Sequence, residues 1–533
     1  MKKIVLLSLA VCLFTSSYSQ LFKASLSEEF KITEKIGKNH VVSNAVSFKG
    51  SFYSIYMEKS TGASKWLFTK IYDIRNALEI SKYDRNMKLK TEVNVEKGAK
   101  NFAILEPELI HFNDQLLVGY FKPYKKESFD YYISIVDTNT LAFSSTVKLF
   151  SLPVKNVGIL RAGDFETESP VRYSLSPDKQ RMMFAAVLDG TSVNVQVLGH
   201  SLQTERQYTV PIGGTGKYKA TKAIFNDEGH IVLSLYNDGE DRKLLTINPA
   251  GKSTLHPLNN LVPGKYPYPL ECTLSRDQQT VYLYAAVNNN KKDDLYCHGI
   301  FLLPFDLKQN KRQPSINYPF TQEFMTALVG KGAVKSANIL YVFTFTPQLT
   351  ELDNGELVLT GTPVLRHSET TQSGNGKSTN WNVFEAGSVL SFFMDKTSGK
   401  CTPSFVPRYI YLNMPNALSS PFSRVHIVRK ASSIAIVYMD YEKNVNQPLD
   451  KPVYTSNSPN GLVLAEAEIM NTATVTNRRQ LGQNIEGNYT YYMNLAVTEP
   501  GQDFLLIPIG KQGLNFNALR DFYTHWCTVE AVR

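Results

Sequence analysis

The chain has 533 residues, 43% of them hydrophobic and 20% charged, so it can bury a large core, and length alone predicts two to four domains unless the chain is built of repeats. Its formal charge of +9 comes from 57 Lys and Arg against 48 Asp and Glu. The excess is spread thinly: the densest basic run, Lys122-Pro123-Tyr124-Lys125-Lys126, reads as a solvated loop, and a nucleic-acid partner, which needs a clustered basic face, is not expected.

The first residues read as a signal peptide, with Lys2-Lys3 as the basic start, Ile4 to Phe14 as the apolar stretch and Ser17-Tyr18-Ser19 as a small-x-small cleavage site. The expected mature chain, 20–533, loses two charges with Lys2 and Lys3, which takes +9 to +7. An apolar stretch of about 11 residues is too short to cross roughly 30 Å of hydrocarbon. No later stretch approaches about 18 apolar residues, so an exported chain without a transmembrane segment is expected. Cys12 leaves with the signal. Cys272, Cys297, Cys401 and Cys527 remain, an even number that permits a disulfide in about three alternative pairings. None has metal-ligand spacing, and structural thiols are the favoured reading.

Taken in order, the chain repeats one grammar: a strand, a turn of Asp, Asn or Gly, then a strand rich in β-branched and aromatic residues. Phe48-Lys49-Gly50 before Phe52 to Met57 is the first copy, and Phe112-Asn113-Asp114-Gln115 before Leu116 to Phe121 the second. The clearest runs from Tyr173 to Leu198: Pro177-Asp178 fixes a turn, Arg181 to Val187 is an apolar run, Asp189-Gly190 turns the chain, and Val193, Val195 and Val197 alternate with polar neighbours. Asn226-Asp227-Glu228-Gly229, Arg276-Asp277-Gln278-Gln279 and Asp353-Asn354-Gly355 open further copies, and Ser432-Ser433 and Pro500-Gly501 close the series. A second signature, a strand ending in Asp or Asn and a turn, follows at Asp84, Asp137, Asn248 and Asp395. Together the two imply four strands per unit. The fold class expected is all-β: a single closed β-propeller of seven or eight four-stranded blades over 20–533, closure removing reactive edges.

Ser176-Pro177-Asp178-Lys179-Gln180-Arg181-Met182-Met183-Phe184 resembles the TolB-type, WD40-like repeat of bacterial envelope β-propellers, whose core reads Ser-Pro-Asp-Gly-Lys followed by an apolar strand. The likeness is close over this unit and partial over those at Asp227 and Asp277. Lys179 stands where the family has Gly, and nothing matches the separate α/β domain of TolB. The resemblance implies the propeller fold and a habit of binding other macromolecules.

Segments 367–380, rich in Ser, Thr, Gly and Asn, and 441–461, with Pro448, Pro452 and Pro459, read as long surface loops. A short covering helix is expected from Thr321 to Val329, with Thr321 as its N-cap.

Glycoside hydrolysis needs two carboxylates flanking one bond, and Glu106, Glu108, Glu166, Glu168 and Glu271 precede inner strands. Counting back from three turn aspartates gives Glu108, Arg172 and Glu271, which a propeller would set around one mouth of its channel; polar residues that merely line a wet channel are the competing reading. Gly213-Gly214-Thr215-Gly216-Lys217 lacks the spacing of a phosphate loop, no Gly-x-Ser-x-Gly elbow occurs, and no His-x-x-x-His pair occurs. Asn237-Asp238-Gly239-Glu240-Asp241 lacks the ligand alternation of a calcium loop. No cofactor or metal is expected.

The favoured function is a non-catalytic binding or scaffolding module of the periplasm or cell surface, taking a protein or glycan of the cell envelope. The alternatives are a carbohydrate-active enzyme with acids at the channel mouth and a structural subunit of an envelope complex. The binding face is expected at the loops entering the inner strands, with Glu168, Arg172, Tyr266, Tyr268 and Glu271 as site residues. Arg172 would supply a fixed cation for a carboxylate there.

Overall fold

A computed structural model of the chain describes residues 21–26, 40–58, 79–84, 88–94, 105–124, 128–153, 170–188, 190–213, 218–237, 241–268, 270–288, 297–324, 344–345, 347–372, 378–413, 424–451, 453–456, 461–481, 489–491, 497–498, 504–511 and 523–531. Among them strands form nine antiparallel sheets. No described helix is long and apolar enough to cross a membrane.

Eight of the sheets follow one another along the chain. The first seven span 40–94, 105–153, 171–211, 218–257, 266–319, 348–406 and 426–480, and in each the strands lie side by side in chain order. The fifth fills its first position with two short strands, Tyr266–Pro267 and Glu271–Leu274, both paired to Thr280–Asn288. The eighth, from 489 to 531, takes its outermost strand from the far end of the chain: Phe22–Leu26 pairs along Tyr523–Ala531 from Phe22↔Ala531 to Leu26↔Cys527.

The third sheet shows why the sequence pattern is apolar without alternation at its centre. Met182, Phe184 and Ala186 of its second strand face the second sheet, packing with Leu117 and Phe121. Met183, Ala185 and Val187 of the same strand face the fourth, packing with Leu233 and Leu245. Both faces of the strand are therefore dry, whereas the outermost strand, Thr204–Pro211, is largely exposed. One apolar cluster of this kind fills each space between successive sheets from the first to the eighth. Each buried Phe or Leu contributes about 1.5–3 kcal/mol relative to exposure.

The ninth sheet corrects the reading of 367–380. The central hairpin of the sixth sheet, Leu357–Gly361 with Val389–Met394, continues past its end as Pro363–Gln372 with Ser378–Ala386, in register from Val364↔Ala386 to Gln372↔Ser378. Thr344–Phe345 flanks one side and Ile410–Asn413 the other. Polar composition suggests a loop, but the backbone of 367–372 pairs with that of 378–383 in one antiparallel hairpin. Within 441–461, Tyr441 ends the strand Ser433–Tyr441 and Glu442–Val445 forms one helical turn.

Of the helix expected over 321–329, positions 322–324 are helical, and the N–H of Phe324 donates to Thr321 Oγ1 at 3.1 Å, an N-cap. The remainder lies outside the described residues. All four cysteines, Cys272, Cys297, Cys401 and Cys527, are free thiols.

Candidate functional site

In a four-stranded meander the first-to-second and third-to-fourth connections lie at one end of the sheet. The second-to-third connections and the entries to the next sheet lie at the other. The first end is stitched together. Ser176 Oγ donates to Asp178 Oδ1 at 2.5 Å, fixing the turn, and the N–H of Asp178 donates to Asp227 Oδ1 in the next sheet at 2.9 Å. The N–H of Asp227 donates to Gln278 Oε1 at 2.9 Å, and Gln278 Nε2 returns a bond to Asp227 Oδ2 at 2.5 Å. Arg276 continues the series to the sixth sheet, N–H to Glu351 Oε2 at 2.8 Å and Nη1 to Asp353 Oδ1 at 2.7 Å. A hollow of about 230 Å³ between the fourth and fifth sheets at this end is likewise internally satisfied: Asn310 accepts from Thr246 Oγ1 at 2.8 Å and donates to Thr254 Oγ1 at 3.1 Å. The polar groups of this end serve the fold.

The opposite end holds the residues singled out from sequence. Glu168 lies outside the described residues. Arg172, in the inner strand Val171–Leu175, donates from Nε to Ala220 O of the neighbouring inner strand at 2.9 Å. Glu271 pairs with Lys222 Nζ at 2.9 Å. Between the two runs the strand Tyr218–Phe225, which supplies a partner to each. Arg172 and Glu271 thus engage different residues of that strand; an acidic neighbour of Arg172 is Glu108, one sheet back. Tyr173 donates its hydroxyl to Glu108 Oε1 at 3.0 Å. Burial raises the Glu108 carboxyl, and the Tyr173 hydroxyl and Arg172 charge pull it back. Glu108 and Glu271 are held on different strands by different partners.

Tyr266 and Tyr268 do come together, with a residue the sequence reasoning missed. Their rings stack at 5.9 Å and 18°. The Arg242 guanidinium lies 4.0 Å from the Tyr266 ring centre and 5.5 Å from that of Tyr268. Arg242 Nη1 donates to Pro267 O, while Nη2 is buried without a hydrogen-bond partner. Tyr268 is 45% exposed, one of two large hydrophobic side chains so exposed among the described residues, the other being Tyr454 in 441–461 at the same end. Arg242 opens a strand, Arg242–Ile247, whose pattern is that of any buried strand; nothing local in the sequence marks it.

A second missed arginine holds the ninth sheet. Arg408, fully buried, donates from Nε to Gly387 O at 2.9 Å, from Nη1 to Met439 O at 2.5 Å and from Nη2 to Thr362 Oγ1 at 2.9 Å. It thereby ties both corners of the long hairpin to the seventh sheet. Asp440 next to Met439 is also fully buried, paired with Arg478 at 3.1 Å and accepting from Asn444 Nδ2 at 2.8 Å. Asn444 in turn receives the N–H of Tyr454 at 2.6 Å, so the excursion carrying Tyr454 and the base of the hairpin share one buried polar network.

No family model matches the chain, and no curated protein matches it. Among solved structures, the chain is similar to the WD40 domain of SCAP from fission yeast, at 9% identity over 95% of this chain and 98% of that one, with a TM-score of 0.41. It is similar also to the β-propeller domain of the Trilobed protease from Pyrococcus furiosus, described as having an open velcro topology, at 9% identity over 84% and 97%, with a TM-score of 0.35. Prolyl oligopeptidase B from Galerina marginata matches at 10% identity and a TM-score of 0.37 over 89% of this chain and 56% of its own. Likenesses this distant carry no functional argument; the sheet order and the residues themselves do.

Proposed function

We propose that the chain is an exported, non-catalytic binding module of the cell envelope, an eight-bladed β-propeller in which the strand Phe22–Leu26 completes the last blade. The observation that carries the reading is the inequality of the two ends. One end spends its turn residues on bonds between neighbouring sheets. The other raises an additional four-stranded sheet, the excursion 441–461 and the two exposed tyrosines. Loops and extensions on a rigid scaffold are where recognition resides. Closure is supported by the pairing of the chain's two ends, by an apolar cluster between every successive pair of sheets, and by the approach of His40–Phe48 to Val497–Thr498. The signal-like start and the TolB-type turn at Ser176–Phe184 agree with export to the envelope. The enzymatic alternative loses support because Glu108 and Glu271 are engaged separately.

The test removes the hairpin arm and leaves its base. Replacing residues 368–382 by Asn-Gly joins the paired positions His367 and Val383 through a two-residue turn. The variant should keep the wild-type melting temperature within a few degrees and lose capture of its envelope partner in crosslinking of native envelopes. Unchanged capture by the folded variant, or turnover of envelope polysaccharide by the wild type, overturns the proposal.

A further inference from the structure

The geometry points to Arg242, Tyr266 and Tyr268 as a site for a carboxylated sugar, a uronate-type residue of an acidic glycan; the inference rests on the binding-module reading and names its ligand class. Arg242 is only 5% exposed, its Nη1 is bound to Pro267 O, and its Nη2 is buried with no acceptor. A buried guanidinium N–H without an acceptor is costly, and the acceptor that best relieves it is a carboxylate. Above it lies a ring 45% exposed, stacked on a second ring that the guanidinium also touches. An exposed tyrosine stacked on a half-buried one offers a flat apolar platform to the face of a sugar ring. Binding requires the Tyr268 side chain to turn aside and admit the carboxylate to Nη2.

Lys219, Lys243 and Lys265 stand at this end of the fourth and fifth sheets. Among the described residues beside them, Asp241 is taken by the Tyr218 hydroxyl, by Asn259 Nδ2 at 3.1 Å and by Lys243 at 3.6 Å. A peptide's C-terminal carboxylate fits less well, because such ends are captured with backbone N–H groups. Here Pro267 has none, and that of Tyr268 donates to Ala286 O at 2.8 Å.

The test titrates chain 20–533 by calorimetry with tetragalacturonate, with its methyl ester and with a short peptide bearing a free C-terminus. The wild type should bind the acid about ten-fold or more tightly than the ester, the value of one charge-assisted hydrogen bond. Arg242→Gln should erase that preference, and Tyr268→Ala, at an exposed position that leaves folding intact, should weaken both sugars several-fold. Gln309→Ala, exposed at the opposite end of the sheets, should change neither. Equal affinity for acid and ester, tighter binding of the peptide, or full acid binding by Tyr268→Ala overturns the assignment. Loss of uronate binding in a chain that still captures its envelope partner overturns the site and leaves the binding-module reading standing. Uronate binding that survives removal of 368–382 supports the site whatever becomes of capture.

Discussion

Asp227 accepts the backbone N–H of Asp178 at 2.9 Å across 49 residues of sequence, so the two turn aspartates that mark successive units are bonded to each other. Asp227 also receives Gln278 Nε2 of the following unit at 2.5 Å. One carboxylate thus joins three sheets. Asp227→Ala should leave a turn N–H and an amide without acceptors and cost about 1–3 kcal/mol. Chemical denaturation would measure it, and a loss below a few tenths would show that water replaces these bonds without penalty.

Left-handed backbone at the same turns allows a paired prediction. Lys179 has φ 57° and Gln278 φ 60°, a region that disfavours residues with a Cβ by about 1–2 kcal/mol. Among the described residues no hydrogen bond of the Lys179 side chain offsets this, so Lys179→Gly should stabilise the chain by about 0.5–1 kcal/mol after the entropy of glycine is deducted. Gln278→Gly should do the opposite, by about 1–2 kcal/mol, because its side chain bonds Asp227 at both Oε1 and Nε2. Denaturant midpoints that shift in the same direction for both would refute the account.

These turns are also where the sequence was most legible. Pro177, Asp178 and Gly229 act on their own backbone within a few residues, so their meaning survives without the fold. The arms and anchors were not legible, for the opposite reason. The Arg408 acceptors are 21, 31 and 46 residues away, and the Arg242 partner Pro267 is 25 away. Neither arginine alters the local pattern of its strand. Segment 367–380 misled because its polar composition is that of a loop, while its conformation is set by the strand opposite. Tyr266 and Tyr268 were legible as a pair, while the cation that touches their rings, Arg242, was not.

Stability should depend on pH through a carboxyl of the first sheet. Burial, with the charge and hydrogen bond of Glu92 beside it, pushes Glu79 up to about 8, against about 4.3 for an unfolded Glu. The folded state then holds a proton that the unfolded state has released, so this group's contribution is complete below about pH 4.3 and is lost as pH rises toward 8. Glu79→Gln keeps the size of the side chain and cannot ionise. Its midpoint relative to wild type should rise between about pH 5 and 8 and level off above. A constant difference across that range would show that Glu79 titrates normally.

Arg408 sets how firmly the hairpin arm stands on the sixth sheet. Burial lowers its pKa to about 10, so it remains charged at neutral pH, and its three acceptors come from both corners of the hairpin and from the seventh sheet. Arg408→Met fills much of the volume but strands Gly387 O, Met439 O and Thr362 Oγ1. It also takes the Arg408 charge away from the neighbourhood of Asp440, which is paired with Arg478 at 3.1 Å. Removing one member of such a buried network should cost about 3 kcal/mol. The effect should be local as well: amide exchange should accelerate through Pro363–Gln372 and Ser378–Ala386 before it does in Leu357–Gly361, which is bonded within the sixth sheet. If protection falls equally in all three strands, the arm is not an independently anchored unit and Arg408 acts only on global stability.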